Sequence, residues 1–149
     1  NSSNLPFSYI LRVPFTKWAD IRQQITAFKW GGAQLTAKKM AGTMGINERV
    51  IVAIDHKKVV GIGSLVRQDI ADLPQTPFIS AIYVDPDYRE KHLGTQIVKA
   101  AQSTAKRLGF KNVYVISGLD NYYEKMGFNY QGDVTDFMGR KMKLYHKDI

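Results

Sequence analysis

The chain has 149 residues, of which 44% are hydrophobic and 23% charged, a balance that suits one folded domain and excludes a disordered chain. It has no cysteine, which excludes disulfides and suits a reducing compartment such as the cytoplasm, and its apolar runs are too short to cross a membrane. The net charge of +8 favours an anionic partner such as a phosphorylated cofactor, but the basic residues are scattered, so we expect no nucleic acid partner.

The first part of the chain predicts a strand followed by two helices. Residues 9–13 alternate enough for a strand. Thr16 is then the predicted N-cap of a helix whose apolar residues recur at helical spacing up to Phe28. A second helical stretch covers residues 34–44.

Two predicted strands, residues 48–54 and 59–66, form a hairpin around a tight turn. The second strand contains Gly61 and Gly63, which match half of a dinucleotide-binding fingerprint but lack its third glycine. Because a strand continues through them, we expect a second segment or a ligand to lie close to the backbone there. After a loop, Phe78–Val84 predicts an apolar strand that is central and buried on both faces.

The clearest predicted element is an amphipathic helix that ends at Gly109. Its apolar stripe consists of Leu93, Ile97, Ala101, Ala105 and Leu108. Residues 111–117 predict a strand that follows this helix and should lie parallel to the earlier apolar strand. A short helix over residues 119–126 and antiparallel strands over residues 128–132 and 139–146 complete the pattern.

These elements predict an α/β fold. The sheet is expected to be mixed and mostly antiparallel, with six or seven strands flanked by about four helices. No repeat, linker or low-complexity segment divides the sequence, so we expect residues 1–149 to form a single domain.

A charged loop, residues 88–95, joins the apolar strand to the amphipathic helix. A helix start offers unpaired N–H groups and the positive end of the helix dipole, which together favour an anion. Gly94 removes a Cβ where a phosphate would have to approach closely. An ordinary strand-to-helix turn would contain the same residues, so this loop alone leaves both interpretations open.

Two segments together resemble the GNAT superfamily of N-acetyltransferases. The first runs from Ile82 through the charged loop to Thr95, and the second is the Tyr-Tyr-Glu-Lys-Met-Gly-Phe run at residues 122–128. The order of the predicted elements also fits that family. The resemblance implies an acyl-CoA acyltransferase fold and transfer of an acetyl group from acetyl-CoA to a primary amine. The absence of a cysteine that could take the acyl group favours direct attack in a ternary complex.

The resemblance also implies where acetyl-CoA binds: its pantetheine arm lies along the central strand, where two parallel strands splay apart, and its pyrophosphate lies in the loop. The implied cofactor-binding residues are Ile82, Tyr83, Val84, Arg89, Glu90, Lys91, His92, Leu93, Gly94, Thr95 and Tyr123. His92 stands where the family usually has glycine, so its Cβ either crowds the phosphate or its imidazole adds a donor. An asparagine that many members carry is also missing, since Ile116 occupies its register.

Tyr123 matches the tyrosine that family members use as a general acid. A phenol, with a pKa of about 10, can share its proton with a leaving thiolate of comparable basicity. The alternative is that Tyr123 merely packs on the sheet, a role that suits its neighbour Tyr122 better. The strand Phe78–Val84 has no carboxylate, so we assign no general base and expect a water-mediated route or proton loss before binding.

The implied acceptor is a small-molecule or peptide amine, and residues 30–34 and 67–76 are expected to contact it. A homodimer is compatible with the sequence, whereas a membrane partner is not expected. His56, His92 and His146 share no metal-ligand spacing, so no metal is expected. The alternative function is an acyl-CoA-binding sensor module without turnover, which would keep the charged loop but would not need Tyr123.

Overall fold

A computed structural model of the protein describes residues 8–10, 18–27, 47–55, 58–89 and 92–149. The described strands are β1 (Ser8–Ile10), β2 (Arg49–Asp55), β3 (Lys58–Val66), β4 (Phe78–Val84), β5 (Asn112–Ser117), β6 (Asn129–Thr135) and β7 (Lys141–Asp148). The described helices are α1 (Trp18–Thr26) and α2 (Leu93–Arg107), with 3₁₀ turns at Pro86–Tyr88 and Glu124–Met126.

The strands form one seven-stranded sheet in the order β1-β2-β3-β4-β5-β7-β6. β4 and β5 are parallel, and every other neighbouring pair is antiparallel. The predicted mixed, mostly antiparallel sheet is therefore confirmed, as are the β2–β3 hairpin and the antiparallel pair that closes the fold.

Apolar side chains cover both faces of the sheet. The larger cluster lies between the sheet and α2 and includes Ile51, Leu65, Ile79, Ile97 and Val113. Side chains alternate along a strand, so the neighbours of Leu65 and Ile79 point to the opposite face. A smaller cluster lies there beside the β3–β4 loop and contains Val66, Ala71, Phe78, Ile116 and Leu144.

The amphipathic helix is α2, and it ends as predicted. The N–H of Phe110 donates to the carbonyl of Ala105 at 3.0 Å, and the N–H of Gly109 donates to the carbonyl of Lys106 at 3.1 Å. This pair of bonds is a Schellman motif, which needs a left-handed residue, and Gly109 supplies it with φ of 94°. The predicted stop at Gly109 is confirmed.

Two glycines allow α2 to lie close to β3. A Cβ at Gly61 would stand 2.8 Å from Cδ1 of Ile97, and one at Gly63 would stand 2.7 Å from Cδ1 of Ile82. Real side chains do not tolerate such distances, so only glycine fits. The prediction that a second segment lies close to these glycines is confirmed, and that segment is α2.

The prediction of about four helices is wrong for the described ranges, where only two α-helices occur. The short helix expected over residues 119–126 is reduced to the 3₁₀ turn Glu124–Met126. One physical reason is Asn121, whose left-handed φ of 60° interrupts a right-handed helix. The helix expected over residues 34–44 lies outside the described residues.

The burial of β4 also differs from the prediction, which had both faces of this strand buried. Phe78 and Ile79 are buried, whereas the rest of the strand is half-buried. The reason is that β5 lies beside β4 only at its start, so the remainder of β4 borders an opening instead of a neighbouring strand.

Candidate active site

The opening between β4 and β5 is the feature around which the candidate site is built. The two strands pair only where Phe78 lies opposite Tyr114, and the N–H of Tyr114 donates to the carbonyl of Pro77 at 3.0 Å. Beyond this pair the strands diverge, which is the splay that the resemblance predicted. Crevices at the carboxyl ends of parallel strands are the usual ligand positions in such sheets.

A bulge in β4 was not predicted from the sequence. Ile62 of β3 pairs with Tyr83, but Ser64 pairs with Ser80, so β4 has one residue more than β3 in this stretch. Ala81 lies in the bulge with a left-handed φ of 55°. A bulge bends a strand and redirects its backbone groups, and this one does so where β4 leaves β5. No sequence signal marks it, because the left-handed residue of a bulge is usually glycine, whereas position 81 is alanine.

The predicted residues Ile82, Tyr83 and Val84 form the end of β4 that borders the opening. Methyl groups of Ile82 and Val84 would stand 4.0 and 3.9 Å from a Cβ at Gly94, so both side chains face α2. Their backbone pairs with β3 on one edge. Their other edge borders the opening between β4 and β5.

The loop after β4 is tied to the β2–β3 hairpin. The hydroxyl of Tyr88 donates to Asp55 at 2.5 Å, and the N–H of Asp85 donates to the carbonyl of Val60 at 2.8 Å. Arg89 returns toward the strand, where its Nε donates to the carbonyl of Val84 at 3.1 Å. Its guanidinium also lies 5.5 Å from the ring centre of Tyr83. These contacts hold the loop in place beside the opening.

His92 directly precedes α2 and has left-handed φ and ψ of 58° and 23°. The position where the family usually has glycine therefore does require a glycine-like conformation, which His92 adopts at some cost. Its exposed side chain makes no capping hydrogen bond, and the first turn of α2 has no acidic residue. Glu90 and Lys91, also predicted to bind the cofactor, lie outside the described residues.

Gly94 lies beside Tyr122, which gives a second reason for the missing Cβ at this position. A Cβ at Gly94 would stand 2.9 Å from the hydroxyl of Tyr122. The missing Cβ thus makes room for a phenol, whether or not a phosphate also approaches. Sequence reasoning gave Tyr122 a packing role and missed that its hydroxyl reaches the first turn of α2.

Leu93 and Thr95 complete the predicted set on α2. Leu93 is buried in the core between α2 and the sheet, so its backbone alone is available to a ligand. Thr95 is half-buried in the first turn of the helix. The start of α2, the end of β4 and Tyr122 are thus brought together on one side of the sheet.

Tyr123 is buried, with 7% of its surface exposed, and its ring packs against three other aromatic rings: Tyr122, Phe128 and Tyr145. Its hydroxyl makes no hydrogen bond to any residue in the described ranges, so its proton is available to a ligand. Burial, then Tyr122, then the negative charge of Asp69 raise the pKa of Tyr123 well above its usual value. The phenol therefore stays protonated at physiological pH.

A carboxylate for which no role was predicted from the sequence lies beside β4. Asp69, in the β3–β4 loop, accepts a hydrogen bond of 2.7 Å from the hydroxyl of Ser80. Asp69 falls within residues 67–76, from which acceptor contacts were expected, whereas residues 30–34 lie outside the described ranges. Only the tertiary fold reveals this contact, because Asp69 and Ser80 belong to different elements.

The structure was also searched for membrane-spanning helices and for clusters of metal-ligating side chains. No helix in the described part of the chain is long and apolar enough to cross a membrane. Within the same residues, no three His, Cys, Asp or Glu side chains come together as metal ligands would.

Comparisons with known proteins agree with this geometry. The family model described as "Acetyltransferase (GNAT) domain" matches residues 47–130. No curated protein matches the chain.

Solved structures show the same fold at low sequence identity. An aminoglycoside 6'-N-acetyltransferase from Enterococcus faecium is 14% identical, with a TM-score of 0.71 and coverage of 95% of this chain and 96% of the other. An aminoglycoside 6'-N-acetyltransferase complexed with coenzyme A is 14% identical, with a TM-score of 0.68 and 97% coverage of both chains. A ribosomal-protein alanine N-acetyltransferase from Escherichia coli is 17% identical, with a TM-score of 0.66 and coverage of 96% and 94%.

Proposed function

Because the chain belongs to the GNAT family of acetyltransferases, we propose that it transfers an acetyl group from acetyl-CoA to a primary amine by direct attack in a ternary complex. The family match extends over more than half of the chain and includes both segments that carry the resemblance. The predicted family and the prediction of an acetyl-CoA-dependent enzyme are confirmed. The acceptor and the mechanism are the parts that we propose.

The observation that carries the proposal is the opening between β4 and β5, which meets the start of α2. The edge of β4 at residues 82–84 borders this opening and suits an extended amide-containing arm, and the first N–H groups of α2 suit a diphosphate. Arg89, Glu90, Lys91, His92, Leu93, Gly94 and Thr95 are the residues that we propose to hold the phosphates. When bound there, acetyl-CoA supplies the activated acetyl thioester.

We assign Tyr123 the role of general acid toward the leaving sulfur. Its phenol has no hydrogen-bond partner among the described residues, and its raised pKa keeps the proton in place until it is needed. The raised pKa does not disqualify it as an acid, because the same dry environment also raises the pKa of a thiol formed beside it.

A primary amine is the proposed class of acceptor. Two of the structural neighbours are named for acetylating nitrogen, one on an aminoglycoside and the other on an alanine of a ribosomal protein. Their identity to this chain is too low to choose between such acceptors. One sheet that includes strands from both ends of the chain also supports our proposal that residues 1–149 act as a single acetyltransferase domain.

The proposal is tested by two measurements on the same preparation. Calorimetric titration with coenzyme A should show binding, and a thiol-release assay with acetyl-CoA should show turnover with at least one amine. The acceptor panel comprises an aminoglycoside, free amino acids, a peptide with N-terminal alanine, a lysine peptide and a polyamine. Binding without thiol release would support the sensor module instead, and absence of binding at millimolar coenzyme A would contradict both functions.

A further inference from the structure

A short polar chain lies on the face of the sheet opposite α2. The hydroxyl of Ser64 donates to the carbonyl of Ser80 at 2.9 Å, and the hydroxyl of Ser80 donates to Oδ1 of Asp69 at 2.7 Å. Gly63 faces α2, so the next residue, Ser64, and its partner Ser80 point to the other side. Two serines and a carboxylate thus follow one another beside the bulge at Ala81.

The backbone around Asp69 is held firmly. The N–H of Arg67 donates to Glu48 at 2.8 Å, and the hydroxyl of Thr76 closes the loop by donating to the carbonyl of Arg67 at 2.8 Å. The N–H of Phe137, in the β6–β7 turn, donates to the carbonyl of Ile70 at 2.7 Å. A group fixed in this way needs little reorganisation to act on a ligand.

Asp69 and Tyr123 lie on opposite faces of the sheet. Tyr123 packs with Leu93 and Ile97 on the α2 side, whereas Asp69 bonds to Ser80 on the other side. The negative charge of Asp69 is nevertheless one cause of the raised pKa of Tyr123. Ser80 directly precedes the bulge where β4 leaves β5, so an acyl group held in the opening would have Tyr123 on the α2 side and the Ser80–Asp69 pair on the other.

We infer that the acceptor amine enters from the face opposite α2 and that its proton passes to Asp69 through the hydroxyl of Ser80. This inference rests on the proposed acetyl transfer. As the N–C bond forms and the C–S bond breaks, the nitrogen gives a proton to Oγ of Ser80, whose own proton moves to Asp69. The sulfur takes a proton from Tyr123, and exchange with water afterwards restores both residues.

The acidity of the nitrogen decides when this transfer occurs. An ammonium group and an aspartate differ by about 6 pKa units in water, so a carboxylate is a poor base for a free ammonium. The amine must therefore reach the site in its neutral form. Its N–H becomes far more acidic while the nitrogen bonds to the acetyl carbon, and at that stage an aspartate is basic enough.

Asp69→Asn tests the inference, because an asparagine oxygen can still accept the hydrogen bond from Ser80 while the charge is lost. With acetyl-CoA and whichever panel amine the unmodified protein acetylates, we expect kcat to fall by about 10²- to 10⁴-fold. The calorimetric Kd for coenzyme A and the urea midpoint should change little. Asp148→Asn is the control, since it removes an exposed carboxylate at the end of β7, outside the candidate site.

The pH profile separates proton transfer from a structural role. At saturating amine, kcat of Asp69→Asn should rise by about tenfold per pH unit, because hydroxide has to replace the carboxylate. Asp69→Glu should recover part of the rate, and Ser80→Ala should lower kcat with the Kd for coenzyme A unchanged.

The outcomes distinguish this inference from the function on which it rests. Turnover by Asp69→Asn within threefold of the unmodified protein, or a loss of rate that appears only in KM, would overturn the proton-transfer role and leave acetyl transfer standing. Absence of thiol release from the unmodified protein with every panel amine would overturn acetyl transfer and this inference together.

Discussion

Three side chains carry the chemistry of the candidate site: the buried phenol of Tyr123, the hydroxyl of Tyr122 beside Gly94, and the carboxylate of Asp69 bonded to Ser80. Tyr123 was predicted as the general acid from the Tyr-Tyr-Glu-Lys-Met-Gly-Phe run taken together with the charged loop, since either motif alone is a weak signal. The packing role predicted for Tyr122 is confirmed, but nothing in the sequence indicates that its hydroxyl also reaches Gly94. Asp69 was missed because its contact with Ser80 joins a loop to a strand.

Tyr123→Phe should lower kcat by about 10²- to 10⁴-fold, because it removes the proton donor without changing the shape of the ring. The Kd for coenzyme A should stay the same, and stability should not fall, since the hydroxyl has no hydrogen bond to lose within the described residues. Thiol release, calorimetry and urea unfolding measure these three quantities. In the unmodified protein, the raised pKa of Tyr123 predicts no loss of rate from phenol ionisation up to pH 9.

Tyr130→Phe is the control for this prediction, because it removes an exposed phenol that bonds to Asp133 at 2.6 Å on β6. Its kcat should match that of the unmodified protein. Equal rates for Tyr123→Phe and Tyr130→Phe would refute the acid role.

His92→Gly should raise the free energy of unfolding by up to about 1.5 kcal/mol. Removing the left-handed strain contributes about 1–2 kcal/mol, which the greater freedom of glycine in the unfolded chain offsets by about 0.5–1 kcal/mol. If the Cβ crowds the phosphate, coenzyme A should also bind more tightly, as calorimetry would detect. Weaker binding would show instead that the imidazole donates to the ligand, which is the other possibility raised by the sequence.

At the scale of elements, the contact of α2 with β3 positions the start of the helix. The two glycines of β3 let Ile97 pack directly on the strand, so the first turn of α2 lies next to the end of β4. The sequence predicted this close approach, because glycines inside an otherwise regular strand have few other uses. It could not say whether a helix or a ligand occupied the space.

Gly63→Ala should destabilise the protein by about 1–3 kcal/mol, since the new Cβ would overlap Ile97 and Ile82 in a packed core. Urea unfolding at constant m-value measures the change. Gly118→Ala provides the comparison, because a Cβ there would lie 3.7 Å from the sulfur of Met142, an ordinary contact. A loss at Gly118 as large as that at Gly63 would argue against the packing explanation.

At the scale of the whole molecule, one sheet separates two chemically different faces. The α2 side presents the helix start and the aromatic cluster around Tyr123, whereas the other side presents Ser80 and Asp69. The splay of β4 and β5 connects these faces. A transfer between two substrates requires this arrangement, because donor and acceptor have to meet without occupying the same space.

The sequence was sufficient to predict six or seven strands, the amphipathic helix with its stop at Gly109, and the resemblance to the family, because these depend on local periodicity and on two short motifs. It did not determine the bulge at Ala81, the position of the Tyr122 hydroxyl or the contact between Asp69 and Ser80. Only the tertiary structure decided these features. Strand register and loop packing arise from contacts between residues that are distant in the chain, and such contacts leave no periodic trace in the sequence.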